Sequence, residues 1–335
     1  MEWWKVFTAI VFGLGLCCAC NKKDPANPGT PSGNDTAGNG VNGDTARNVY
    51  VVGDTTFAYF VSPLQYWKNG VLTKLGDGYI GIAGGVSVIG NDVYIAADTV
   101  VPLGGIYFTT IWKNGTRIMR YAGSLSASVV SGTDIYTTGT TFNAAGSSNI
   151  ATYWKNGNAV YMGEGAGSSI ALSGSDVCVA GLYRNAIVYW KNGSLVNQPN
   201  NTISYGTVSI AAAGSDVYVA STTATSIGLP VATYWKNGVP TYLTSGYYNT
   251  VASAVTVSGT DLYVAGYVGG LLNPVATYWK NGVAVTLGSG RCNFITVFGK
   301  DVYVCGTSNN NAVYWKNGVM VTLGKGEARV MALQK

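Results

Sequence analysis

The string Tyr-Trp-Lys-Asn-Gly, once with Ile in place of Tyr, occurs seven times, with its tryptophan at Trp67, Trp112, Trp154, Trp190, Trp235, Trp279 and Trp315. Successive copies stand 36 to 45 residues apart. A second string precedes each copy from the second onward. It runs Gly-x-Asp, an apolar residue, then Tyr or once Cys178, and it places Asp92, Asp134, Asp176, Asp216, Asp261 and Asp301 at one repeat position. A period of this length marks one supersecondary unit copied along the chain, a unit that buries its apolar face only by stacking on its neighbours.

Each period holds four short segments of alternating apolar and polar residues; around Gly259 they are TVASAVTVSG, DLYVAG, PVATYWKNG and VAVTLGSG. Alternation reads as half-buried strands. Asn-Gly tolerates positive φ at both central positions, so every copy marks a tight hairpin between the third and fourth strands, and Gly-x-Asp turns the chain between the first and second. Residues 48–335 divide into seven units of about 41 residues, the length of a four-stranded propeller blade. The sequence therefore predicts an all-β, seven-bladed β-propeller with four antiparallel strands per blade. The domain opens on a second strand, Val49 to Val52, and ends on a lone first strand, Ala328 to Leu333. One blade is then built from both termini, which closes the ring and hides its edges.

The pattern resembles the β-propeller superfamily, and segments such as ATYWKNGVAVTLGSG are similar to the HAF-type repeats of bacterial extracellular proteins. The resemblance covers 48–335. The Gly-Gly pair of kelch repeats, the Trp-Asp ending of WD40 repeats and the S-x-D-x-G-x-T-W box of sialidases do not occur, so it implies a fold and carries no activity.

Ahead of the repeats, residues 1–19 carry one early lysine and an apolar run from Val6 to Leu16 too short to span a bilayer, the pattern of an export signal. The segment ends in Cys17, Cys18 and Cys20 and resembles a bacterial lipobox. Cys20, after the small Ala19, is the expected lipidated residue; Cys17 and Cys18 are the alternatives. The stretch from Asn21 to Arg47 is almost wholly Gly, Pro, Asn, Asp, Thr and Ser, a tether with a reach of about 30 Å. The expectation is an exported lipoprotein anchored in the outer membrane of a Gram-negative bacterium, its partner on that side being the membrane.

Composition removes several chemistries. The chain has no histidine, which excludes Ser-His-Asp and Cys-His catalysis and nearly all zinc sites. No Asp-rich calcium loop stands out, and no cofactor or metal is expected. Net charge is +5, but the basic residues are dispersed, whereas nucleic-acid binding needs a stripe. A glycosidase needs two facing carboxylates. Outside the repeated aspartates the domain has Asp54, Asp77, Asp98, Glu164 and Glu327. An enzyme requires two of these, or one with Arg184 or Arg291, within about 10 Å.

The repeated tryptophans read as packing between blades and the repeated aspartates as turn formers, with carboxylates accepting from nearby backbone N–H groups. Both turn families emerge on one face of the ring. The opposite face carries connections of widely varying length, where binding specificity usually resides. Tyr79, Tyr183, Arg184, Tyr247, Tyr248, Asn249, Tyr267, Asn309 and Asn310 are its candidate contacts, offering flat apolar area beside hydrogen-bonding groups. The functional expectation is a monomeric binding or scaffold module for a glycan or protein. The alternatives are a carbohydrate-active hydrolase or lyase at the channel mouth and a purely structural envelope protein. Of the domain cysteines, Cys178 replaces the repeat tyrosine as a buried thiol. Strict alternation puts Cys292 diagonally on the same face as Cys305, an unfavourable geometry for a disulfide.

Overall fold

Val, Ile, Tyr and Thr alternate with small residues between turns rich in Asn and Gly, and every regular element among the described residues is a strand. The computed structural model describes residues 45–54, 64–75, 81–100, 107–142, 149–196, 203–224, 228–244, 249–270 and 272–335. The export signal, Cys17, Cys18, Cys20 and most of the tether lie outside them, as do Tyr79, Tyr247, Tyr248 and Asp77.

Seven four-stranded antiparallel sheets form the blades. The first strand of each is innermost: Glu327–Gln334 for blade one, then Gly81–Ile89, Ser124–Ser131, Ala166–Ser173, Ser209–Ala213, Thr250–Ser258 and Arg291–Phe298 for blades two to seven. Each inner strand packs on the next around the circle, and the last returns to the first. Blade one is assembled from both ends of the chain as expected: Asn48 pairs with Gln334 and Asp54 with Glu327 along the closing strand. Asn48 Nδ2 and Tyr50 Oη both donate to Gln334 Oε1, each at 2.7 Å.

The tryptophans lie in the seams. Each is between 1% and 3% exposed. Six pack onto the preceding blade's core: Trp315 meets Tyr263 and Ala265 of blade six, and Trp67 meets Tyr303 and Ala312 of blade seven across the closure. Trp154 packs against Tyr121 of blade two in a tilted ring pair, with centroids 5.2 Å apart. At about 25 cal/mol per Å², an indole burying 150–250 Å² contributes roughly 4–6 kcal/mol as an upper bound.

The two turn families interlock. In the hairpin at Asn281 (φ 49°) and Gly282 (φ 83°), Asn281 donates its backbone N–H to Leu262 O while its Oδ1 accepts the Leu262 N–H at 2.8 Å. Its Nδ2 donates to Asp261 Oδ1 at 2.7 Å, and Lys280 Nζ binds Asp261 Oδ2 at 2.8 Å while lying 5.5 Å from the Tyr263 ring centre. The same asparagine and lysine contacts to an aspartate recur in blades two to seven. Each aspartate sits in its turn, but its partner differs from the expectation. The asparagine side chain takes the backbone N–H, and the carboxylate holds the asparagine and lysine in place.

A β-bulge interrupts six inner strands, at Arg329, Gly84, Ser126, Ser168, Ser253 and Asn293. In five of these blades a glycine stands beside the bulge. A Cβ on Gly266 would lie 1.8 Å from Val251 O, and one on Gly306 1.9 Å from Arg291 O, so the glycine within the second strand, opposite the bulge, is required by close approach. The extra residue also corrects the expected cysteine geometry. Phe294 does pair with Cys305, but the bulge at Asn293 turns Cys292 to the other face. Cys292 packs in the seam with blade six and Cys305 in the seam with blade one. Cys178, Cys292 and Cys305 are all buried free thiols, and burial pushes Cys292 up to about 12.

Candidate functional site at the channel mouth

On the turn face, six of the seven repeat lysines are paired with aspartates. The six lysine–aspartate pairs span 2.7–3.0 Å. Hydrogen bonds from the neighbouring lysine and asparagine hold Asp92, Asp134, Asp176, Asp216 and Asp261 below the usual carboxylate range. In blade one Asn48 replaces the aspartate and accepts from Asn69 Nδ2, and Lys68 lies over the Tyr50 ring at 5.5 Å.

The opposite mouth is different. The seven inner strands carry three charged side chains, and all three stand on two adjacent blades: Arg291 on blade seven, Glu327 and Arg329 on blade one. Each lies within the first three residues of its strand, at the end fed by the variable connections. Bulges aim the key groups, since Asn293 and Arg329 are themselves the extra residues. Asn293 Nδ2 donates across the seam to Glu327 Oε1 and to Ala328 O, both at 2.9 Å. Arg329 then joins two acids: NH2 lies 2.9 Å from Glu327 Oε2, and Nε donates to Asp54 Oδ2. On the other flank the Arg291 guanidinium sits 5.3 Å from the Tyr267 ring centre on blade six. Two groups thus line up on blades six, seven and one: the Tyr267–Arg291 pair, and the series Asn293, Glu327, Arg329 and Asp54, which starts two residues after Arg291 on the same strand. All but Asp54 are part-exposed; Asp54 is 2% exposed.

Asp98 occupies in blade two the place that Asp54 holds in blade one. It is 7% exposed and accepts from Ser124 Oγ of blade three at 2.9 Å. Burial pushes its carboxyl up to about 6, against the Ser124 and Leu125 hydrogen bonds that favour the ionised form. Oδ1 of Asp54 and of Asp98 are buried without a hydrogen-bond partner.

Sequence reasoning placed Tyr267 on this face, and the structure sets it beside Arg291. Asn249 is exposed, with its carbonyl accepting from Gly269 N–H close to Tyr267. Tyr183 and Arg184 stand together on blade four, where Arg184 covers the Tyr183 ring at 5.2 Å and pairs with Glu164 at 3.7 Å. Asn309 and Asn310 fill a two-residue hairpin turn at φ 50° and 59°, a conformation asparagine tolerates. Arg329 and Asn293 were not among the candidates. Their signal is that charge is absent from five inner strands and concentrated on two. Of the non-repeated acids, Asp54 and Glu327 meet on Arg329, which satisfies the proximity an enzyme requires.

No protein-family model matches the chain, and no curated protein matches it. Solved structures do. A computationally designed protein, Ika8, shares 13% identity at a TM-score of 0.45, over 78% of this chain and 81% of that one. An acylaminoacyl peptidase in complex with a chloromethyl ketone shares 9% at 0.48, over 84% and 51%, so this chain spans about half the peptidase's length. The phage phi92 endosialidase shares 12% at 0.42, over 77% and 60%. At these identities the likeness concerns fold alone.

Proposed function

We propose that the chain is an exported, lipid-anchored β-propeller that serves as a binding module, with its ligand held at the channel mouth on the variable-connection face. The observation that supports this reading is the asymmetry between faces. One pairs six of its seven repeat lysines with aspartates in turn latches; the other carries all three charged inner-strand side chains on two adjacent blades, one of them beside an aromatic ring. Exposed polar side chains ordered by one another, rather than by a tight turn, are the usual make-up of a recognition surface. Anchoring rests on the Cys20 reading, with the tether holding the domain clear of lipid headgroups.

A second reading, a carbohydrate-active hydrolase or lyase, draws on the meeting of Asp54 and Glu327. Against it, both carboxylates engage the one guanidinium of Arg329. Glycoside hydrolysis needs one acid held protonated and the other free to act on the substrate.

Two measurements test the proposal. Metabolic labelling with palmitate is expected to mark the chain and to fail in Cys20→Ser; unchanged labelling moves the anchor to Cys17 or Cys18. Screening the full chain against glycan arrays and envelope-protein pull-downs is expected to yield a ligand lost in Tyr267→Ala. Blank results in both screens favour a purely structural envelope protein.

A further inference from the structure

Resting on the reading that this mouth is the binding site, we infer that the ligand it holds is a neutral oligosaccharide segment. Together the pair and the series carry two guanidinium groups and two carboxylates, Arg291 and Arg329 against Glu327 and Asp54, so they offer a charged ligand no net attraction. The donors and acceptors are also already matched in series, from Asn293 to Glu327, Glu327 to Arg329 and Arg329 to Asp54.

A ligand carboxylate would compete with Glu327 and Asp54 for Arg329, and a ligand ammonium would compete with Arg329 for them. Either exchange leaves a group behind without its partner, Asp54 in particular, which is buried. A hydroxyl both donates and accepts, so it adds to such a chain without displacing a member. Vicinal hydroxyls match the planar forks of carboxylate, amide and guanidinium. The part-exposed Tyr267 ring, backed by Arg291, supplies the flat apolar area that a sugar's C–H face covers. Because the polar groups order one another before binding, little side-chain entropy is lost on engagement.

The test is calorimetric titration of the full chain with neutral hexasaccharides of glucose, mannose, galactose and xylose, alongside oligogalacturonate, polylysine and polyglutamate. At least one neutral probe is expected to bind, with affinity changing less than about twofold between roughly 0.05 and 0.5 M salt. Tyr267→Ala is expected to weaken it about tenfold or more, and Tyr267→Phe to restore it, while Lys280→Ala on the turn face leaves it unchanged. Binding confined to the charged probes, yet lost in Tyr267→Ala, overturns the inference and leaves the mouth as the site. Neutral-sugar binding indifferent to Tyr267→Ala overturns the inference and the placement of the site together. No binding to any neutral probe overturns the inference.

Discussion

Arg329, in the last strand of the chain, donates through Nε to Asp54, in the first strand of the domain, across 275 residues of sequence. The bond belongs both to the ring closure and to the candidate site, because Asp54 and Glu327 are paired residues of the closing strands. Arg329→Ala leaves the buried Asp54 carboxylate without its cation. A loss of about 3 kcal/mol is expected in urea unfolding, and replacing Asp54 by Asn as well should recover part of it. Deleting 327–335 removes the whole inner strand and should abolish the cooperative transition.

Asp98 should make the protein less stable as pH rises. Its folded carboxyl titrates near 6, above the ordinary 3.8, so the folded state holds a proton that the unfolded chain has released. Stability is highest below the unfolded value, falls through the interval between the two, and is flat above it. Asp98→Asn removes this dependence. Its melting temperature should exceed that of the parent at pH 7 to 8, by an amount equivalent to about 1–3 kcal/mol, and the advantage should vanish near pH 4.

The turn latches divide their work unequally. Asp261 holds Lys280 and the Asn281 amide at an exposed site, where ion pairs contribute little; Asp261→Ala should shift the urea midpoint only slightly. Asn281 both binds the Leu262 N–H and tolerates φ 49°. Asn281→Ala should cost about 1–2 kcal/mol, and Asn281→Gly, which keeps the conformation and loses the bond, should fall between.

Thiol chemistry should be silent in the native fold. Cys178, Cys292 and Cys305 are buried and burial raises all three thiols. Alkylation at pH 8 should leave them unmodified in native protein and reach all three, without a reductant, once it is denatured. A pair that reacts only after reduction would show a disulfide.

Blade count, hairpin turns and closure were legible because each is written several times over: tryptophans at one position, Asn-Gly in every copy, and a lone first strand at the end. The bulges were not. An inserted residue such as Asn293 leaves the apolar pattern nearly intact while reversing every side chain before it, and that reversal separates Cys292 from Cys305. The aspartate's partner was hidden for a related reason, since the Asp261–Asn281 bond joins two turns that the sequence presents as separate. Arg329 was missed because a residue unique to one blade looks like noise until the seven inner strands are compared. Only then does it stand out that Arg291, Glu327 and Arg329 are the charged residues of the inner strands, on two adjacent blades.

The division of labour between faces can be measured by blocking each in turn. Asn249→Cys on the variable face and Ser175→Cys on the turn face, each coupled to a maleimide polyethylene glycol chain, are compared for ligand capture with parent protein treated identically. Capture lost on coupling at position 249 and retained at 175 is the expected result. Capture that survives at 249 and fails at 175 would contradict the assignment of function to the channel mouth beside Tyr267 and Arg291.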